Sequence, residues 1–115
     1  MNLFTYYKSL LGIFFLLFSC MSIAQIDMSS IPASVGSCDS ITQVAAQRAG
    51  GDYQRGEALR SLSRKFMDLG LRLHAKNSND GILYINSKNL TYQNALNLSE
   101  PQLNASVNKC LKLAN

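Results

Sequence analysis

The strongest periodic signal in the chain runs from Leu59 to Leu73, where Leu59, Leu62, Phe66, Leu69 and Leu73 recur at steps of three and four residues. That spacing draws one apolar stripe along a helix, and Asp52 just upstream is placed to cap it. On the other side of the helical wheel Arg60, Arg64, Asp68 and Arg72 follow one another at steps of four, so Arg64 and Arg72 are each positioned to pair with Asp68. Gly70 falls near the apolar stripe, where glycine costs about 1 kcal/mol against alanine. Its presence predicts that another backbone crosses closely there.

Shorter patterns flank this helix. Cys38, Ile41, Val44, Ala45 and Ala49 fit a first helix capped by Ser37 or Asp39 and stopped by Gly50-Gly51. Before it, Gln25 to Gly36 carries Ser29, Ser30, Pro32, Ser34 and Gly36 without a helical period and reads as a flexible leader over 25–36. Asn77-Ser78-Asn79-Asp80-Gly81 reads as a turn that ends the long helix. Ile82 to Ile85 suits a strand by composition, but it has no partner strand. Ile82, Ile85, Tyr92 and Leu96 share a helical face, which favours a third helix, broken or weak around Asn86 to Asn89. Ser99 and Gln102 then form a capping box, with Leu98 and Leu103 as a hydrophobic staple and Pro101 tolerated in the first turn. The stripe Leu103, Val107, Cys110, Leu111 and Ala114 completes the last helix. The fold class expected is all-α, a three- to four-helix domain over 37–115.

The N-terminus has a different character. Lys8 precedes an almost unbroken apolar run from Leu10 to Phe18, and Ser22-Ile23-Ala24 puts small residues where a signal peptidase reads. The run is shorter than the ~20 residues that span a bilayer. Residues 1–24 are therefore expected to be a cleavable signal peptide, with the mature protein in a periplasm and without an integral membrane segment. Leu17-Phe18-Ser19-Cys20 resembles the bacterial lipobox, which would imply lipidation of Cys20. Phe18 departs from that pattern, so cleavage after Ala24 is preferred.

Composition narrows the function classes. The full chain carries a formal charge of +4, and loss of Lys8 with the signal leaves ten basic against seven acidic residues. This mild excess suits an acidic partner and lacks the dense basic footprint of a nucleic-acid binder. Two cysteines remain, Cys38 and Cys110, both on core-facing stripes. In an oxidising compartment they are expected to form one structural disulfide joining the first helix to the last. They lack the close Cys-x-x-Cys spacing of a redox or metal site.

Candidate chemistry is sparse. His74 is the single histidine and sits between Arg72 and Lys76; it reads as a boundary residue without the carboxylate or nucleophile that catalysis needs. No cofactor or metal ligand set is visible. The surface with the clearest character is the basic face of the long helix, with Arg60, Arg64 and Arg72 as the expected partner contacts, because the guanidinium fork binds a carboxylate with two hydrogen bonds. An ordinary solvated face competes with that reading, since Glu57 and Asp68 dilute the charge. Tyr53 and Tyr84 are candidate aromatic anchors or hydrogen-bonded boundary tyrosines. Asn89-Leu90-Thr91, Asn97-Leu98-Ser99 and Asn104-Ala105-Ser106 are formal glycosylation acceptors of the kind an asparagine-rich tail generates by chance.

In size, export and one-disulfide helical plan the chain is similar to small helical immunity proteins and to small periplasmic acid-stress chaperones, a resemblance of outline without a motif of either. The function expected is a non-enzymatic binding protein of inhibitor, immunity or adaptor type acting on an acidic envelope protein, with a stress chaperone as the alternative. Mass spectrometry of the native protein should find a chain starting at Gln25. A diacylated Cys20 or an intact Met1 would overturn the export reading.

Overall fold

A computed structural model describes residues 27–115, which form four helices and contain no strand. These are α1 (Ile31–Arg48), α2 (Tyr53–Lys76), α3 (Ser78–Ala95) and α4 (Glu100–Ala114). The signal segment, the processing site before Gln25 and Cys20 lie outside the described residues. Among the described residues no helix is long and apolar enough to cross a membrane.

The central element is α1, thirteen of whose eighteen residues are buried. The others pack around it: α2 and α3 along its length and against each other, and α4 against a smaller part of it. Its enclosed surface is made largely of small side chains, Ala33, Ser34, Gly36, Ser37, Ser40, Ala45 and Ala46, which let neighbouring backbones approach closely. The apolar core is completed by Ile41 and Val44 from α1, Leu59 and Phe66 from α2, and Leu103 and Val107 from α4. Full burial of a side chain such as Phe66 or Ile41 contributes about 1.5–3 kcal/mol.

The first helix starts six residues earlier than Ser37, so residues 31–36 of the expected leader are helical, while 25–26 lie outside the described residues. Ser30 caps it by accepting from the Ala33 N–H at 3.3 Å, and Pro32 lies in the first turn, where its missing N–H leaves no hydrogen bond unmade. The run of Ser, Pro and Gly that reads as a leader is thus the start of a buried helix. Gly36 is required within it, because a Cβ there would run into the backbone carbonyl of Tyr84. Further along, Gly50 adopts φ +53 just past the end of α1, the left-handed turn expected of a helix stop.

Between α2 and α3 a single residue replaces the expected turn. Asn77 closes α2 through its N–H to the Leu73 carbonyl and opens α3 by accepting from the Asn79 N–H at 2.9 Å. Ser78 to Gly81 are already helical, and α3 runs unbroken through Asn86 to Asn89. Gly81 permits the tight connection, since a Cβ there would meet the His74 ring.

The inward face of α3 also differs from expectation. Gly81, Tyr84, Ser87, Thr91 and Ala95 are buried, whereas Ile82, Ile85 and Leu96 are exposed. The reason lies in α1. Ser37 Oγ is 2.7 Å from Ser87 Oγ and 3.0 Å from Thr91 Oγ1, Ser87 Oγ donates to the Ala33 carbonyl at 2.6 Å, and Ser40 Oγ donates to the Lys88 carbonyl. Polar pairing across a close seam, unlike apolar bulk, selects small hydroxyl residues and turns the isoleucines outward. The close contact at Gly70 is likewise with the Tyr84 ring and not with a backbone: a Cβ at Gly70 would lie 2.6 Å from Tyr84 Cδ2.

The C-terminal helix carries the capping box of Ser99 and Gln102, and Cys110 is paired with Cys38. Their Cα atoms are 5.4 Å apart and 72 residues apart in sequence. Because α4 rests mainly on α1, this link is its principal covalent tether. Reduction should lower stability by about 4 kcal/mol, the loop-entropy value for a loop of this length. Thermal melting with and without reductant measures the loss, and amide exchange should rise first in α4. An unchanged melting temperature would show that the disulfide is not a structural restraint.

Candidate functional site

Asp39 lies on the buried side of α1, one turn before Gln43, and its carboxylate is 3% exposed. It collects donors from two other helices. Ser63 Oγ of α2 donates to Oδ1 at 2.8 Å, Tyr84 Oη of α3 donates to Oδ2 at 2.6 Å, and Lys88 Nζ of α3 is 3.2 Å from Oδ2. Lys88 also lies 5.8 Å from the centroid of the Tyr84 ring. The Tyr84–Lys88 spacing of four places both on one side of α3, where they reach the same carboxylate. Every buried polar side-chain atom among the described residues has a hydrogen-bond partner. The Tyr84 phenol is held protonated well above its ordinary range, first by burial and then by its bond to Asp39 and the carboxylate's charge.

Asp39 and Ser63 of this cluster lie at the floor of a groove of about 490 Å³ between α1 and α2. Its walls are Gln43 and Gln47 from α1, Arg60, Arg64 and Met67 from α2, and Lys88 from α3. Lys88 and Gln43 also border a shallower depression over α1 and α3 with Asn89 and Gln93. Arg60 is engaged by Glu57 at 2.8 Å. The nearest recorded partner of Arg64 is the Arg60 carbonyl, 3.4 Å from its Nε, so among the described residues it has no carboxylate partner. Of the three cations that line the groove, Lys88 is held by Asp39 and Arg60 by Glu57, leaving the exposed Arg64 without a carboxylate among the described residues. Such an arrangement can accept an incoming carboxylate at the rim.

The expected contacts divide between two places. Arg60 and Arg64 line this groove, whereas Arg72 lines a separate one with Lys76 on the opposite flank of α2. Pairing of Arg64 and Arg72 with Asp68 does not form; the α2 ion pair among the described residues is Arg60 with Glu57. An exposed pair four residues apart is worth only about 0.3–0.5 kcal/mol, too little to fix these long side chains. His74 is exposed at the end of α2 and packs against Gly81, with no carboxylate beside it. Tyr53 is 73% exposed and available as an anchor, but Tyr84 is 4% exposed and belongs to the core. No group of three or more His, Cys, Asp or Glu side chains that could hold a metal occurs among the described residues.

Sequence reasoning treated Asp39 only as a possible cap and did not single out Lys88. One signal was present: an acidic residue at position 39 falls beside Cys38 and Ile41 within the buried stretch, and an unpaired acid is costly there. Comparison with protein families, with curated proteins and with solved structures finds no match to this chain.

The raised phenol carries a stability consequence with a definite sign. Its contribution is complete below pH about 10, where an unfolded tyrosine begins to ionise, and is lost as the pH climbs from there through the higher folded-state value. Tyr84→Phe should therefore leave the alkaline tyrosinate absorbance of the native protein unchanged below its unfolding pH. A variant that lost one tyrosine's share of that absorbance would show that Tyr84 ionises in the native state.

Proposed function

We propose that the exported domain is a small non-enzymatic binding protein of inhibitor, immunity or adaptor type, which engages an acidic protein of the bacterial envelope through the basic surface of α2. The observation that carries this reading is the convergence of Arg60, Arg64 and Lys88 on one groove, with Arg64 lacking a carboxylate partner among the described residues. The floor beneath them is held by the Asp39 hydrogen bonds, so the cations stand on a pre-organised surface and less ordering is needed on binding. Gln43 and Gln47 beside them supply neutral donors and acceptors suited to a protein surface.

A stress chaperone is the second reading, supported by the outward face of α3. Ile82, Leu83, Ile85 and Leu90 are exposed there among Asn86, Asn89 and Gln93, and the Lys88 of this segment is paired with Asp39. The two readings separate by stoichiometry and by the state of the client. A binding protein holds one folded partner at a fixed ratio, whereas a chaperone captures unfolded clients of many kinds after acidification.

Pull-down from envelope extract, followed by kinetics with the purified partner, tests the first reading. Arg64→Glu should slow association about tenfold and weaken its salt dependence, with an unchanged melting temperature because the residue is exposed. Unaltered association in the triple variant Arg60→Glu, Arg64→Glu, Arg72→Glu would remove the basic surface as the contact.

A further inference from the structure

The groove on the other flank of α2 has a different chemistry. Its floor is Val35 of α1 with Phe66 and the half-buried Leu73 of α2, and the exposed Ile31, Leu69 and Leu113 form its walls. It measures about 360 Å³ and draws on the start of α1, the second half of α2 and the end of α4. Arg72 and Lys76 stand at its edge, and among the described residues no acidic side chain lines it. Neither cation has an ion-pair partner among the described residues.

We propose that this groove docks an amphipathic acidic helix of the partner protein, with apolar side chains on Phe66 and Val35 and carboxylates on Arg72 and Lys76. The inference rests on the reading of the protein as a binding module and adds a second, apolar contact to it. Charge decides against a second copy of this chain. Joining two such grooves about a twofold axis would set Arg72 and Lys76 against their own like. Shape decides against an alkyl chain. Small apolar ligands are enclosed over most of their surface, whereas Ile31 at the lip is itself 69% exposed, so a chain lying against it would stay partly in water. One or two side chains presented at helical spacing fill such a surface, and the rim cations then meet acidic residues flanking them.

The test uses the native protein with methyl labelling and three synthetic helical peptides at millimolar concentration. The first carries leucine at positions i, i+3, i+4 and i+7 with glutamate on its flanks. The second replaces glutamate by lysine, and the third replaces leucine by serine. The first should shift the methyl signals of Ile31, Leu69 and Leu113, and the other two should leave them in place. Arg72→Glu and Leu69→Ser should each weaken the first peptide at least tenfold. Arg72→Glu should leave circular dichroism and melting temperature unchanged because the residue is exposed, and Leu69→Ser, at a residue 37% exposed, is compared at a temperature where circular dichroism shows it fully folded. Equal affinity in both variants, or shifts at these methyls from the lysine peptide, would overturn the proposal. Shifts confined to the signals around Arg60 and Arg64 would overturn it too, leaving the proposed function standing. The absence of any shift from the first peptide would also overturn it, whereas the proposed function is decided separately by the partner's association with the arginine variants.

Discussion

The carboxylate of Asp39 is the interaction on which the arrangement of the first three helices depends. It sits on the central helix and takes donors from both neighbours, Ser63 on α2 and Tyr84 with Lys88 on α3. A buried charge of this kind is tolerable only when fully paired, and removing one partner of a buried ion pair typically costs about 3–5 kcal/mol. The position of α2 relative to α3 is thereby set by polar geometry as well as by apolar contact. Gly70 makes room for the Tyr84 ring, and Gly36 lets the Tyr84 carbonyl lie against α1. Two glycines on two helices therefore serve one tyrosine, whose hydroxyl completes the carboxylate's shell.

The same geometry accounts for the surface. Because the seam between α1 and α3 is filled by hydroxyls and closely approaching backbone, α3 has no inward place for its large aliphatic side chains, and Ile82, Leu83, Ile85 and Leu90 face out. Arg48 shows the corresponding economy at the other end of the bundle. Its guanidinium donates to the carbonyls of Leu96 and Leu98, which receive no backbone N–H at the turn after α3, and to that of Ala95, which also accepts from the Leu98 N–H, and it lies 3.6 Å from Glu100 at the start of α4. One side chain at the end of α1 thus fixes the junction between α3 and α4.

What could be read from the residues alone follows from which forces dominate locally. The stripe on α2 and the capping box on α4 are governed by periodicity and local hydrogen bonds, and both were legible; so was the pairing of Cys38 with Cys110. The start of α1 was not, because Ser, Pro and Gly suit a leader and a tightly packed helix start equally well, and only the neighbouring α3 distinguishes them. The face of α3 was misassigned for the same kind of reason. Its aliphatic residues carry the periodic signal, yet burial there follows hydrogen-bonding partners on another helix. Of the candidate site, the arginines were legible as a charged face, whereas the division between two grooves and the cluster under one of them depend on contacts between residues 24 to 49 positions apart.

That division shapes how the basic surface works. Arg60 and Arg72 are twelve residues apart, about 18 Å along the helix axis, and they border opposite flanks of α2. The screening length at physiological salt is about 8 Å, so the field of one cluster is largely lost at the other. They therefore form two separate surfaces, one polar over Asp39 and one apolar over Phe66, and not one continuous positive stripe. Only four residues of α2 are buried, so most of the helix between the grooves stands clear of the core as a ridge. A partner that straddles this ridge meets a carboxylate-accepting wall on one side and an apolar cleft on the other. Under the proposed binding role, specificity would come from presenting acidic and apolar groups at that separation, a demand that net charge alone does not impose.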